Sequence, residues 1–287
     1  SSGAAYVFTR SAGTWRPSAY VKANNADEDD EFGQSAAGTT VETWTPDAVI
    51  RKIDTAPVKN LLAEWPSNTI VLDTPAGAVI IDTSRPPASR AHFDLLQKAG
   101  VTKAAYVILT HGHGDHARAG MGRYHTSVEG LPILRWRLGD QDYRVHAYGE
   151  PFTLGRARVS LHPAGHVLGS AQVRVEVDGQ VWVVSGDYKR QPDPTCTPFE
   201  VVPCDTFITE ATFGLPIYRW PSAADVARDI VQWRDHCAAR GEAAILYCYA
   251  LGKAQRVLAE LIPFIDRPVY LHGAIAAGVD VYRGAGV

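Results

Sequence analysis

The stretch that decides the fold is Ala105-Tyr106-Val107-Ile108-Leu109-Thr110, followed at once by His111-Gly112-His113-Gly114-Asp115-His116. The first six residues read as a strand, because β-branched and aromatic residues crowd a short apolar run. The next six put three imidazoles and a carboxylate where that strand ends, so their side chains would project from the edge of a sheet, a common place for a site. Groups packed this closely desolvate one another unless a cation compensates, and neutral imidazole with carboxylate suits Zn2+. Gly112 and Gly114 are expected to supply the bends that aim alternate side chains at one centre.

On both sides of this stretch, short apolar runs alternate with helical stretches, the signature of an α/β layered protein. Strands are expected at Thr69 to Asp73, Ala78 to Asp82, Ala157 to Leu161, Ala171 to Val177, Val181 to Ser185, Thr206 to Thr209 and Ala243 to Tyr249. Asp178-Gly179 reads as a tight hairpin turn between two of them. Helices are expected at Ala88 to Ala99, Ala223 to Ala239 and Lys253 to Leu261. Two more candidate ligands follow strands in the same manner: His166 in Pro163-Ala164-Gly165-His166, and Asp187 in Ser185-Gly186-Asp187-Tyr188.

Composition narrows the function classes. The chain of 287 residues is 46% hydrophobic, enough for a sizeable core, and its formal charge is −3. That balance argues against attachment to nucleic acid by bulk charge and leaves only a local basic groove. The acidity is concentrated in residues 1–60, with a run from Asp27 to Glu31, and the remainder is close to balanced. No apolar run approaches the roughly 18 to 20 residues of a membrane span. The Ser1-Ser2-Gly3 start lacks the regions of a signal peptide, and four cysteines without a C-x-x-C pair fit a reducing compartment. A cytoplasmic protein without a membrane partner is therefore expected.

From Leu61 onward, HxHxDH, then a Gly-His loop, then an Asp after a strand resembles the metallo-β-lactamase superfamily. The resemblance implies a four-layer αββα sandwich over residues 61–287; residues 1–60 read by their composition as an acidic, poorly structured extension, with a strand expected at Ala5 to Thr9. The front lobe, residues 61–121, is similar to generic small-molecule hydrolases. From residue 122 the strings GRYHTS, LHPAGHVLGSAQV, VWVVSGDYKRQPDPTC, CDTFITEATFGLPIYRWP and YALGKAQ resemble the ligase-associated DNA exonucleases, relatives of the β-CASP nucleases.

By that resemblance, His111, His113 and His166 hold one metal, Asp115 and His116 contribute to a second, and Asp187 bridges them. Zn2+ is the implied ion, with Mn2+ as the alternative. Asp115, Asp187 and Glu210 are the implied catalytic carboxylates, with Glu210 supporting a histidine near the metals. The implied reaction is hydroxide attack on a phosphodiester of DNA, or of RNA, in DNA repair and in association with a DNA ligase. Between residues 118 and 167, seven Arg face four acidic residues. Arg135 and Arg137 around Trp136, and Arg219 before Trp220, are the candidate phosphate and base contacts.

Two departures keep other readings open. The front, before and around the metal motif, differs from the exonuclease family, and residues 1–40 resemble a single FG-GAP repeat through Gly3-Ala4-Ala5-Tyr6-Val7-Phe8 and Asp30-Glu31-Phe32-Gly33. The family also carries two later histidine motifs that do not occur before Val287, so the C-terminal part is expected to be incomplete and the second metal weakly held. His272 in Tyr270-Leu271-His272-Gly273-Ala274 is assigned a structural role. The alternatives are a small-molecule hydrolase of lactonase or sulfatase type, and an inactive composite chain.

Overall fold

The computed structural model describes residues 4–11, 14–22, 58–60, 70–72, 78–82, 104–210, 213 and 217–287. Two β-sheets form its centre. The six-stranded sheet runs in the order β3 (Val58–Asn60), β4 (Ile70–Leu72), β5 (Ala78–Ile81), β6 (Ala104–Ile108), β7 (Arg123–Ser127), β8 (Asp142–His146). The seven-stranded sheet runs from β2 (Thr14–Lys22) through β1 (Ala4–Ser11), β13 (Thr206–Glu210), β12 (Gln180–Val184), β11 (Ala171–Val177) and β10 (Ala157–Pro163) to β9 (Phe152–Leu154).

The sheets pack face to face because each strand turns alternate apolar side chains inward. Val79, Ile81 and Ile108 of one sheet join Val159, Leu161, Val173, Val175 and Ile208 of the other in a single buried cluster. The alternate residues Val107, Leu109 and Tyr124 point the other way and are covered by Leu134 of α1 (Leu131–Leu138). Ile133 of α1 also meets Leu168, Leu251 and Tyr282, and so ties α4 (Gly273–Gly284) to the loop bearing His166. The other helices are α2 (Ala223–Ala239), capped by the Ser222 hydroxyl, and α3 (Lys253–Leu261). The architecture is mixed α/β, with two packed sheets, as the alternation of runs in the sequence implies.

Strand direction positions the site. β5, β6, β7 and β8 are mutually parallel, as are β12 and β13. The segments leaving the carboxyl ends of β5, β6, β12 and β13 carry Asp82, His111 to His116, Asp187 and Glu210, and the β10–β11 turn brings His166 to them. Ligands commonly bind beyond the carboxyl ends of parallel strands, where loops diverge. The Asp178-Gly179 turn has the expected form, with φ of 51° and 78° joining β11 to β12.

Several expectations are corrected. Ala243 to Tyr249 forms no strand; no described strand pairs with it, and Ile245, Tyr247 and Tyr249 are exposed. A run of β-type residues does not become a strand without a neighbour for its backbone groups. Helices α1 and α4 were not anticipated, and the expected helix at Ala88 to Ala99 lies outside the described residues. Within residues 1–60, β1 pairs with β13 and β2 with β1, both antiparallel, so this hairpin extends the seven-stranded sheet. That placement gives the FG-GAP resemblance no support. Among the described residues, no helix is long and apolar enough to cross a membrane.

Candidate metal centre

His111, His113, His166 and Asp187 each present a donor atom to one point, with all four atoms within 4.8 Å of one another. His111 Nε2 lies 3.0 Å from His113 Nδ1, and His113 Nδ1 lies 3.4 Å from His166 Nε2. Asp187 Oδ2 stands 3.8 Å from His111 Nε2 and 3.7 Å from His166 Nε2. Its other oxygen, Oδ1, faces His116 Nε2 at 3.5 Å. One carboxylate thus lies between the three-histidine group and His116.

The hydrogen-bond network assigns the ring protons. The Thr110 hydroxyl donates to Asp82 Oδ2 at 2.7 Å, so it accepts from His111 Nδ1–H at 3.1 Å and leaves His111 Nε2 with a lone pair. His113 Nε2–H donates to the Leu251 carbonyl at 3.2 Å, leaving Nδ1 with a lone pair. Two lone pairs therefore face one another at 3.0 Å beside a carboxylate. Such an arrangement is repulsive without a cation between the donors, and tetrahedral N and O donor sets are what divalent zinc accepts. The residues present fit a divalent metal.

Electrostatics agrees with that fit. Burial, reinforced by the neighbouring imidazoles, pushes His111 well below the ordinary histidine value. Burial likewise lowers His113, and lowers His166 to about 3. These rings are neutral at physiological pH, the form that coordinates a metal. Burial raises Asp187 to about 6, opposed by His116 and assisted by Glu210, Asp115 and Asp82.

His116 behaves differently. Burial alone would lower it, but the carboxylates of Asp82, foremost, with Asp187 and Asp115, together outweigh burial and hold it at about 9. His116 Nδ1–H donates to Asp82 Oδ2 at 2.8 Å. Asp82 also accepts from the Thr110 backbone N–H at 2.8 Å, so one buried carboxylate orients His116 directly and His111 through Thr110. Outer partners of this kind fix the ring orientation of metal ligands. Asp82 follows β5 with a φ of 59°, a left-handed conformation that Asp tolerates better than most residues. Sequence reading placed it in a strand and missed its role; the available signal was an acidic residue closing an otherwise apolar run.

The glycines act otherwise than expected. Neither Gly112 nor Gly114 has a positive φ. Gly112 is required by close approach, since a Cβ there would collide with the Ile133 side chain of α1. Gly186 is the residue that needs left-handed backbone, at φ 55°, and a Cβ there would stand 2.7 Å from Thr110 Cβ. This contact brings the Asp187 segment against the histidine loop.

Of the remaining expected residues, Asp115 is half-buried in the histidine loop and its charge raises His113 and His116. Glu210 ends β13, and its charge acts on Asp187. Arg137 is exposed and donates one N–H to the Gly112 carbonyl, which ties it to the histidine loop. Trp136 is half-buried and packs against the cluster containing Ile133, Leu251 and Tyr282. Arg135 remains exposed, with only a long contact of 3.8 Å to Asp140. Trp220 is 62% exposed beside Arg219. His272 is the N-cap of α4 and accepts from Ala274 N–H at 3.2 Å.

Comparison with known proteins agrees with the fold. Residues 62–122 match the family model of the Metallo-beta-lactamase superfamily. Those residues include β4, β5, β6 and the whole histidine loop, so the match covers the first part of a metallo-β-lactamase-fold domain. Among its relatives, a "Probable DNA ligase" of Opitutus terrae is 32% identical over 62% of this chain and 18% of that protein. An "RNase J-like protein" of Methanocaldococcus jannaschii is 24% identical over 74% of this chain and 57% of its own length. "Endoribonuclease ysh1" of Aspergillus fumigatus is 32% identical over 63% of this chain and 25% of that protein. The chain thus spans between about a fifth and three fifths of these relatives.

Proposed function

We propose that this domain is a zinc-dependent phosphodiesterase that hydrolyses nucleic acid, with DNA ends as its substrate. The observation that carries the metal-dependent reading is the convergence of His111 Nε2, His113 Nδ1 and His166 Nε2 with Asp187 Oδ2, the first two with lone pairs turned towards one another. The nucleic-acid reading draws support from relatives whose names are nucleases or a DNA ligase.

In this reading, His111, His113, His166 and Asp187 would hold one ion, and Asp187, His116 and Asp115 would serve a second. When bound, zinc acidifies water and neutralises charge on phosphoryl oxygens. Asp115 accepts the nucleophile's proton, as a half-buried carboxylate beside the cluster can. Asp82 and the Leu251 carbonyl keep the ring nitrogens aimed. Glu210 acts on the site through its charge at Asp187. Arg135, Arg137, Arg219 and Trp220 are the proposed contacts for the strand. The ligase-named relative supports a functional association with DNA ligation, and that work would take place in the cytoplasm.

The test is hydrolysis by the zinc-loaded chain of end-labelled single- and double-stranded DNA and of RNA, with a lactone and a β-lactam alongside. Stepwise release of nucleotides, lost in His111→Ala and in Asp187→Ala, is the expected result. Nuclease activity that survives both substitutions, or lactone turnover with inert nucleic acid, would overturn the proposal.

A further inference from the structure

Beyond the metal centre, three aromatic side chains stand together on the surface. The Phe213 ring is edge-on to Tyr218, at 5.2 Å and 82°, and to Trp220, at 5.3 Å and 88°. Tyr218 and Trp220 are nearly parallel, with centroids 6.4 Å apart and planes inclined by 10°. Phe213 is 58% exposed and Trp220 62%. A planar ring inserted between two others needs about twice the stacking distance of roughly 3.4 Å seen between bases. The centroid spacing of Tyr218 and Trp220 sets an upper bound on the gap between their planes and falls a little short of that figure, so the rings must part slightly to admit a base, and Phe213 closes one side.

Charge and position select the occupant. Arg219, between the two parallel rings in sequence, is exposed and has no ion-pair partner among the described residues. A cation beside flat aromatic faces suits a group that joins a planar ring to an anion, which is the composition of a nucleotide. Phe213 lies three residues beyond Glu210, whose charge reaches Asp187. Three residues span at most about 11 Å, so Phe213 lies within that reach of the end of β13, on the side where the candidate ligand Asp187 follows β12.

We infer that Tyr218 and Trp220, with Phe213 behind them, sandwich the base of a nucleotide next to the phosphate under attack. A base held on both faces has left its helical stack, so the substrate strand is single-stranded at that position. This inference rests on the nucleic-acid reading above and specifies the form of its substrate.

The experiment measures binding of the zinc-loaded chain to fluorescent phosphorothioate DNA strands, with a single abasic site moved along the strand. One abasic position is expected to weaken binding roughly 5- to 150-fold, the loss of base–aromatic stacking. In Trp220→Ala and Tyr218→Ala that penalty should vanish, in Trp220→Phe it should largely return, and a blunt duplex should bind more weakly than the single strand. A penalty at no position, or one undiminished in both alanine variants, overturns the sandwich while leaving a nuclease intact. Failure of any strand to bind the parent chain overturns the nucleic-acid reading and this inference together.

Discussion

Asp82→Asn tests the centre where it is most constrained. The carboxylate accepts three hydrogen bonds, from Thr110 N–H at 2.8 Å, the Thr110 hydroxyl at 2.7 Å and His116 Nδ1–H at 2.8 Å. Asparagine offers one oxygen to Thr110 N–H, but its amide N–H groups then face the hydroxyl and the His116 N–H, donor against donor. Either His116 changes tautomer, or its ring turns away from Asp187. Loss of such an outer partner weakens metal binding by about 10- to 100-fold, or about 1.4 to 2.7 kcal/mol. Competition for zinc against a chelator of known affinity, on parent and variant, measures this directly.

The same substitution has a pH signature in the metal-free protein. In the parent, His116 is held at about 9, above its unfolded value of about 6.5. The folded state then binds the extra proton, so this contribution to stability is complete below about pH 6.5 and is lost as pH rises through about 9. In the variant, burial is opposed by Asp187 and Asp115 without Asp82, so His116 falls and the contribution is reduced. The difference in Tm between parent and variant should therefore be largest in acid and shrink towards pH 9. Zinc affinities that agree within twofold, together with a Tm difference that does not vary with pH, would refute the hub role of Asp82.

Three further outcomes follow from the same geometry. Zinc loading of the three-histidine group should stay constant down to about pH 6, then fall about tenfold per pH unit as Asp187 protonates, measured by metal titration across pH; any second ion using His116 should load more weakly until about pH 9. Gly186→Ala should cost roughly 1 to 3 kcal/mol in denaturant unfolding, because alanine must adopt a φ of 55° and displace the Thr110 side chain. Leu161→Ala, in the fully buried layer between the sheets, should cost about 2 to 5 kcal/mol in the same assay and leave zinc affinity unchanged.

How much was legible in sequence depended on whether the cause was local. His111, His113, Asp115 and His116 fall within one hexapeptide at a strand end, and His166 and Asp187 follow recognisable strands, so residue type and pattern sufficed to propose them as ligands. Hairpin and helix signals also succeeded, as at Asp178-Gly179 and from Ala223 to Ala239. The segment from Ala243 to Tyr249 misled because strand propensity says nothing about whether a partner strand is present. The contacts of Trp136 with the Ile133 cluster and of Arg137 with the Gly112 carbonyl had no signal in the sequence, because the same basic-aromatic spelling serves packing and loop anchoring as readily as recognition.

The sequence by itself determined the ligand types, their order and the α/β layering, since these arise from chemistry carried within a few residues. Only the tertiary structure decided that Asp82 orients His116 from 34 positions away, that the Leu251 carbonyl sets the tautomer of His113 from 138 positions away, and that Arg137 holds the loop. A backbone carbonyl has no spelling of its own, and a buried aspartate becomes a hub only when packing brings two histidines to it.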